Sequence, residues 1–480
     1  MDLNGCKVLV SGMARSGLGA ALLCRRLGAQ VTVQDLKKEE ELTDQLAVLQ
    51  TGEGAYPFSY IWGRNPSEEE AKGFDYVILS PGVPTDLPFV QIAAENGIPV
   101  WSEIELASRI CKSPIIGITG TNGKTTTTTL VGEIMKAYLP ASQVAGNIGT
   151  AFSEIVEDSS PEGYTVLELS SFQLETIETF HPHVSAILNF TPDHLNRHKT
   201  FENYVAAKCR VYENQTAEDI CVLNYDDPLC RERAEEIQKS ENGPKLILFS
   251  RKVANCGQTM ETAQRPVQSL WTEDGMIYYG DGHNAPQKVA ELSRMIIFGP
   301  HNEENAMAAV GCCLAAGVPL TVIEEGLYAF KGVAHRIEYV GTVDEVNYYN
   351  DSKATNPDAA IKGLLAMKSE QTVLLGGGYD KGTPYDEWCV LFNGRVRKLI
   401  LIGATREDIY RSAVACGYPA EQIVMKDTFE EAVEEARLSA KPGDSVLLSP
   451  ACASWGMFDN YEQRGDIFRD LVQKMKSDRR

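Results

Sequence analysis

Ile115-Ile116-Gly117-Ile118-Thr119-Gly120-Thr121-Asn122-Gly123-Lys124-Thr125-Thr126 is the stretch that decides how this chain folds. A short β-branched apolar run has the pattern of a buried strand. It passes into a glycine-rich turn, and Lys-Thr-Thr then opens a helix. Backbone N–H groups in such a turn point at phosphate oxygens, and the helix N-terminus adds partial positive charge. Lys124 is placed to reach the β- and γ-phosphates of a nucleotide, and the Thr125 hydroxyl to ligate Mg²⁺. Gly120, Thr121, Asn122, Gly123 and Thr126 complete the cradle. The upstream glycine of the full pattern is absent, and Ile118 stands in its place.

Working outward, similar apolar runs recur at helix-length intervals: Cys6–Val10, Val31–Val33, Tyr76–Leu79, Ala186–Leu188, Leu246–Phe249, Thr372–Leu375, Lys398–Ile402 and Ser445–Leu448. Strands alternating with helices predict βαβ units, hence parallel sheets that bind ligands at the carboxyl ends of their strands. The chain has 480 residues, which at about 150 per domain suggests three domains. The expected division is an α/β fold with domains at 1–100, 101–332 and 333–480. The first and last are Rossmann-like. The middle one is a P-loop ATPase-like domain with a parallel sheet. Residues 251–295, polar and glycine-rich, read as a smaller β insertion within the middle domain.

Upstream of the phosphate loop, Val8-Leu9-Val10-Ser11-Gly12-Met13-Ala14-Arg15-Ser16-Gly17 with Asp35 further on is similar to a dinucleotide fingerprint. Ala14 replaces its middle glycine, which disfavours close approach of a pyrophosphate. Downstream, Glu168 ends the run Tyr164–Leu169, where P-loop enzymes carry a Mg²⁺-binding acid. Asp193-His194 follows another strand, and carboxylate plus imidazole beside a phosphate loop suit a metal-plus-base site. Asn302 and Asn305 share one helix face; taken alone, Asn302 reads as a helix N-cap.

In the last domain three strand ends present polar or glycine-rich loops to one edge. Asn350-Asp351-Ser352-Lys353 leads to Asn356-Pro357, a helix cap followed by the first helical position. Gly376-Gly377-Gly378-Tyr379-Asp380-Lys381 follows Thr372–Leu375, and Ser449-Pro450-Ala451-Cys452-Ala453-Ser454 follows Ser445–Leu448. Lys353, Lys381 and Ser454 are candidates for holding a carboxylate.

Composition narrows the function further. The net charge is −21, which argues against broad nucleic-acid or anionic-membrane binding, because phosphate contacts need clustered Lys and Arg. The 12 cysteines are scattered without C-x-x-C pairs, so reduced, mostly buried thiols in a cytoplasmic protein are expected. The most apolar stretch is too short and broken to span a bilayer, and the N-terminus has no signal-peptide pattern.

These motifs together resemble the Mur ligase superfamily. The phosphate loop is continued by Leu167-Glu168-Leu169-Ser170-Ser171-Phe172-Gln173, Asp193-His194-Leu195 and Ala206-Ala207-Lys208. Gly299-Pro300-His301-Asn302 with Asn305, His335-Arg336, Asn350–Pro357 and Leu448–Ser454 through Asn460-Tyr461-Glu462-Gln463-Arg464-Gly465 follow in order. The two ends resemble the D-glutamate-adding branch. The resemblance implies ATP-dependent ligation of D-glutamate to UDP-N-acetylmuramoyl-L-alanine through an acyl phosphate and a tetrahedral intermediate.

By the same resemblance, Lys124, Glu168, His194 and Lys208 are catalytic. Thr125 and Glu168 hold one Mg²⁺; His194 and Lys208, carbamylated by CO₂, hold a second. Asn302, Asn305, Arg336, Asp351 and Lys353 lie on the ATP side. Arg15, Ser16, Asp35, Leu36, Lys37 and Gly82 frame the UDP end, recasting the weak fingerprint as a uridine-nucleotide site. Asn147, Ser170, Gln173 and His194 line the muramoyl-peptide path. Asp193, Thr355, Lys381, Ser454 and Tyr461 receive D-glutamate. A cytoplasmic monomer with no nucleic-acid or membrane partner is the expectation. Open alternatives are a sister Mur ligase, a folylpolyglutamate synthetase and a non-catalytic P-loop nucleotide-binding regulator. An NAD-dependent dehydrogenase is disfavoured by Ala14 and the P-loop.

Overall fold

The computed structural model describes the chain except residues 261, 262, 264, 368, 370, 380–382 and 478–480. Its described residues form three sheets of five, nine and six strands. The first comprises β1 (Lys7–Ser11), β2 (Gln30–Asp35), β3 (Ser59–Trp62), β4 (Tyr76–Leu79) and β5 (Val100–Ser102), in the order β3-β2-β1-β4-β5. All four pairings are parallel. Chain order reverses at β1, so the loops after β1 and β4 open a crevice at the carboxyl edge.

The central sheet comprises β6 (Ile115–Thr119), β7 (Gln143–Gly146), β8 (Thr165–Glu168), β9 (Val184–Ile187), β10 (Ile220–Asn224), β11 (Lys245–Ser250), β12 (Gln268–Glu273), β13 (Met276–Gly280) and β14 (Gln287–Glu291). Its order is β14-β13-β12-β11-β10-β9-β6-β8-β7, so the phosphate-loop strand β6 lies between β9 and β8. Every residue of β6 is buried, as expected of a strand covered on both faces. The helix Lys124–Tyr138 packs against Pro300–Ala315 and Leu320–Ala329. Gly326 permits the approach, since a Cβ there would lie 2.4 Å from Ile134.

One expectation is refined here. The β segment within residues 251–295 extends the central sheet itself: β12 pairs in parallel with β11, and β13 and β14 continue the same sheet antiparallel. Their polarity reflects a half-exposed meander at the sheet end. The central sheet is parallel-dominated, as expected, with an antiparallel end at β13 and β14.

The third sheet comprises β15 (Glu338–Val343), β16 (Val346–Asn350), β17 (Thr372–Gly378), β18 (Val396–Gly403), β19 (Ile423–Met425) and β20 (Ser445–Leu448), in the order β15-β16-β20-β17-β18-β19. Only β15 runs antiparallel. Gly376–Gly378 belong to β17 instead of following it. A Cβ at Gly377 would stand 2.2 Å from the Ile402 carbonyl oxygen, so glycine keeps the strand paired where β18 closes in. Asn356 caps Pro357–Ala366 as expected, its Oδ1 accepting from Ala359 N at 2.9 Å.

Contacts divide the chain into two compact units. One holds Met1–Met295 and Pro300–Phe330, with the first two sheets; the other holds Ile296–Gly299 and Lys331–Arg480. All 12 cysteines are free and most are buried. No helix among the described residues is long and apolar enough to cross a membrane.

Candidate active site

The phosphate loop takes the shape its residues require. Gly120 and Gly123 have φ of +144° and +86°, the region glycine enters without Cβ strain. A Cβ on Gly123 would also lie 2.2 Å from Asn305 Oδ1. Asn189 accepts from Thr121 N through its carbonyl and from Asn122 N through Oδ1, at 3.0 and 2.9 Å. The loop is therefore braced by the segment after β9. Thr121 Oγ1 donates to Thr191 O at 3.1 Å. Thr121 and Asn122 thus shape the loop, and the helix-opening N–H groups at Lys124, Thr125 and Thr126 form the anion-facing end.

Two lysines meet at this loop. Lys124 Nζ donates to Gly120 O and Thr121 O, both at 2.9 Å. Lys208 Nζ, on the helix Phe201–Cys209, donates to the same Gly120 O at 2.8 Å. Lys208 is buried. Desolvation first, and the neighbouring Lys124 charge second, hold its amine well below the ordinary lysine range. Tyr204, one turn earlier, places its ring 4.6 Å from Lys208 Nζ and shares a 3.0 Å hydrogen bond with Thr121.

Glu168 ends β8 beside Ile118 of β6. Its Oε1 accepts from Asn147 Nδ2 at 2.9 Å. Its buried Oε2 has no hydrogen-bond partner among the described residues. Thr125 is also buried. Asn302 lies inside the helix Pro300–Ala315 and is not its cap. Its Oδ1 accepts from Asn305 Nδ2 at 3.2 Å, while Asn305 Oδ1 accepts from Thr127 Oγ1 at 3.4 Å. Asn305 therefore reaches the phosphate-loop helix from across the core.

His194 is half-exposed, with Nε2 3.5 Å from Asp193 Oδ2. The Phe172 ring lies 4.9 Å from it, centroid to centroid. Ser170 and Gln173 cap one short helix reciprocally: Gln173 Oε1 accepts from Ser170 N at 2.9 Å, and Ser170 Oγ from Gln173 N at 3.3 Å. Gln173 is buried, so its amide holds the turn that presents Ser170.

In the first sheet, Asp35 accepts from Met13 N and Lys37 N, at 2.7 and 2.9 Å. Its carboxylate ties the loop after β1 to the turn after β2, at one edge of the crevice. Arg15, Leu36, Lys37 and Gly82 are exposed around that clamp.

The second unit gathers a separate set. Asp351 is buried and accepts from Ser449 Oγ at 2.7 Å and Ile337 N at 3.2 Å. Burial pushes its carboxyl up to about 7. Arg464, wholly buried, donates to Ser352 Oγ at 2.9 Å, to Ser352 O at 2.8 Å and to Cys452 O at 3.2 Å. It fastens the loop after β16 to the loop after β20, which carries Ser454. Lys353 Nζ lies 5.4 Å from the Tyr461 ring centroid, and Thr355 N donates to Lys353 O at 2.9 Å. Arg336 sits between His335 and Ile337, whose φ values are +62° and +47°. Lys381 lies outside the described residues.

Comparison with known proteins fits this pattern of loops. Residues 118–313 match the Mur ligase middle domain, and residues 335–452 match the Mur ligase glutamate ligase domain. The UDP-N-acetylmuramoylalanine--D-glutamate ligase of Lachnoclostridium phytofermentans is 44% identical, with 100% of each chain covered. This chain belongs to the Mur ligase family, among its D-glutamate ligases. The Clostridioides difficile enzyme of the same name is 43% identical over 99% of this Mur ligase and 100% of its own length. Solved Mur ligases share the fold. Thermotoga maritima MurC has TM-score 0.57 at 19% identity, covering 98% of this chain and 100% of its own. Thermotoga maritima MurF has TM-score 0.56 at 16% identity, covering 94% and 96%.

Sequence reasoning passed over Tyr204, Asn189 and Arg464. Tyr204 had a signal, since it lies four residues before Lys208 and so on one helix face. Arg464 lay inside the Asn460–Gly465 motif, but its role was not legible there, and Asn189 had no signal, because both act through contacts brought close only by folding.

Proposed function

We propose that this Mur ligase joins D-glutamate to UDP-N-acetylmuramoyl-L-alanine with cleavage of ATP, a step of cytoplasmic peptidoglycan-precursor synthesis. The full-length identity to D-glutamate ligases carries the reading. The lysine pair on the Gly120 carbonyl supports it. We further propose that residues 1–100 receive the UDP end, 101–332 ATP and 333–480 D-glutamate, in a monomeric enzyme.

A carboxylate and an amine do not condense in water, so the carboxylate must first be activated. The muramoyl-alanine carboxylate attacks the γ-phosphoryl group, and ADP leaves. The D-glutamate amine then attacks the acyl phosphate, giving a tetrahedral intermediate that collapses with expulsion of phosphate. Lys124 and the helix-opening amides hold and neutralise the phosphates, which is mostly electrostatic catalysis. Asn302, Asn305, Arg336, Asp351 and Lys353 are assigned to ATP. Asp193, Thr355, Lys381, Ser454 and Tyr461 are assigned to D-glutamate. Arg15, Ser16, Leu36, Lys37 and Gly82 surround the UDP moiety, with Asp35 shaping their loops. Asn147 and Ser170 face the muramoyl peptide, and Gln173 holds Ser170 in place.

The donor set fits Mg²⁺. Glu168 offers a buried carboxylate oxygen with no protein hydrogen bond, and Thr125 adds a hydroxyl; hard oxygen donors suit this ion. Among the described residues, no group of three His, Cys, Asp or Glu side chains can hold a metal alone. Substrate phosphates and water would complete its shell, as is usual for Mg²⁺. A second ion would face His194 and Lys208. Burial pushes the Lys208 amine well below the ordinary lysine range, which favours the unprotonated form that captures CO₂; the carbamate would supply the missing anionic oxygens. Bound Mg²⁺ supplies charge neutralisation on the transferring phosphoryl group.

The test is phosphate release from ATP with UDP-N-acetylmuramoyl-L-alanine, adding D- or L-glutamate in turn, with the product weighed. Release that depends on D-glutamate, with one glutamyl residue added, is the expected result. ATP binding without release for either isomer would sink the reading and favour a sister ligase or a nucleotide-binding regulator.

A further inference from the structure

The segment that carries His194 is held in a sterically disfavoured shape. The four-residue helix Leu195–His198 is enclosed by two non-glycine residues with positive φ, His194 at +53° and Lys199 at +70°. Side chains with a Cβ enter that region only when their surroundings over-determine it. The surroundings here are specific. Arg197 forms a largely buried ion pair with Glu175 at 2.6 Å, both side chains 14% exposed. The same guanidinium nitrogen, Nη2, donates to the backbone carbonyl of Val83 at 3.0 Å. The guanidinium carbon stands 5.2 Å from the centroid of the Phe172 ring, which also contacts His194. His198 anchors the other side, its Nε2 2.9 Å from Ser171 Oγ.

Val83 belongs to the loop after β4, next to Gly82 in the crevice of the first sheet. That loop is packed against the β1 turn: a Cβ on Gly12 would lie 2.8 Å from both Ser80 and Val83. A second, exposed contact joins the same two segments, Lys199 Nζ to Asp86 Oδ2 at 3.7 Å. Arg197 is thus the buried cation connecting the first-sheet crevice loop to the turn bearing His194.

We propose that Arg197 is a positioning residue that couples occupancy of the Gly82–Val83 loop by the UDP-linked substrate to the placement of His194. The inference rests on the reading that this loop receives that substrate. The guanidinium pairs Glu175 through Nε and Nη2, at 3.4 and 2.6 Å, while the second Nη2 hydrogen serves Val83; a lysine ammonium at this position keeps the charge against Glu175 but loses this planar geometry.

The experiment compares R197K and R197M with the wild type. Affinity for UDP-N-acetylmuramoyl-L-alanine is measured by calorimetry without ATP or metal. Steady-state KM values for all three substrates and Tm are measured alongside. Both variants are expected to bind the UDP-linked substrate about tenfold more weakly, the worth of one charge-assisted hydrogen bond. Its KM rises in parallel while the KM for ATP stays within about twofold. R197K is expected to keep a wild-type Tm. Wild-type affinity and KM in R197K would overturn the proposal. So would equal changes in every KM together with a lowered Tm, which is the mark of a merely structural role. A wild-type enzyme that forms no D-glutamyl product sinks the ligase reading and this inference with it. An active wild type with an unchanged R197K sinks the inference alone.

Discussion

Lys124 and Lys208 donate to one acceptor, the carbonyl oxygen of Gly120, at 2.9 and 2.8 Å. They come from different helices, 84 positions apart in sequence. Two cations on one dipole repel, and burial adds to the cost for Lys208. Burial first, and the neighbouring Lys124 charge second, push the Lys208 amine well below the ordinary lysine range.

Lys208 is therefore expected to be chemically active and structurally dispensable. Lys208→Ala should lower turnover by about 100-fold or more without lowering Tm, because it removes a buried amine. Turnover in the wild type should also fall when CO₂ is stripped from the buffer. Full activity in the alanine variant would eliminate a role in the reaction.

Glu168→Gln separates charge from shape. The amide oxygen still accepts from Asn147 Nδ2, so the fold should persist. Losing one anionic donor should raise the Mg²⁺ concentration for half-maximal turnover by about tenfold or more. A magnesium titration of both enzymes reads this, and overlapping curves would contradict it.

Glu103 governs a pH-dependent part of stability. It is buried between the first two sheets, on the helix Glu103–Ser108, where Ser153 N donates to Oε1 at 2.5 Å. Burial pushes its carboxyl up to about 7 from the ordinary 4.5. Below the unfolded value both states are protonated and nothing is lost. As pH rises towards 7 the unfolded state ionises first, so stability falls. Glu103→Gln has no such loss. Its stability advantage over the wild type should grow between about pH 4.5 and 7, approaching about 3 kcal/mol, and then level off. Urea unfolding at several pH values measures the difference; a constant difference would refute the assignment.

Gly123→Ala should fail twice over. Its φ of +86° disfavours a side chain, and the new Cβ would press on Asn305 Oδ1. A stability loss of about 1–3 kcal/mol and a raised KM for ATP are expected. Combining it with Asn305→Ala should relieve the contact but not the dihedral strain, so recovery of stability should be partial.

Arg464→Met removes the donor to two buried carbonyls. Leaving them unpaired should cost about 2–4 kcal/mol. The loops carrying Ser352 and Ser454 would then separate, raising the KM for D-glutamate more than that for ATP. Equal fold-changes in both KM values relative to the wild type would restrict Arg464 to a structural role.

The sequence by itself determined the alternation of strands and helices, because burial on both sheet faces forces short apolar runs and helical crossovers. It also determined the phosphate loop, since Gly120, Gly123 and Lys124 are local requirements of one turn, and the Asn356-Pro357 helix start, since a cap acts within four residues. It misplaced Gly376–Gly378 as a loop, because the close approach of β18 that requires glycine there is a long-range fact. Residues 251–295 were read as β within the middle domain, but their place as the end of its main sheet was not legible, since an edge meander and an added β unit carry the same half-polar pattern.

Only the tertiary structure decided which side chains share an acceptor. The Gly120 carbonyl collects two lysines, Arg197 spans Glu175 and the Val83 carbonyl, and Arg464 ties two loop carbonyls together. Each of these arrangements includes a contact to backbone, which every residue possesses and which leaves no mark in sequence. A local motif is legible because its physics lies within a few bonds; a shared carbonyl becomes visible only when the chain has brought distant segments together.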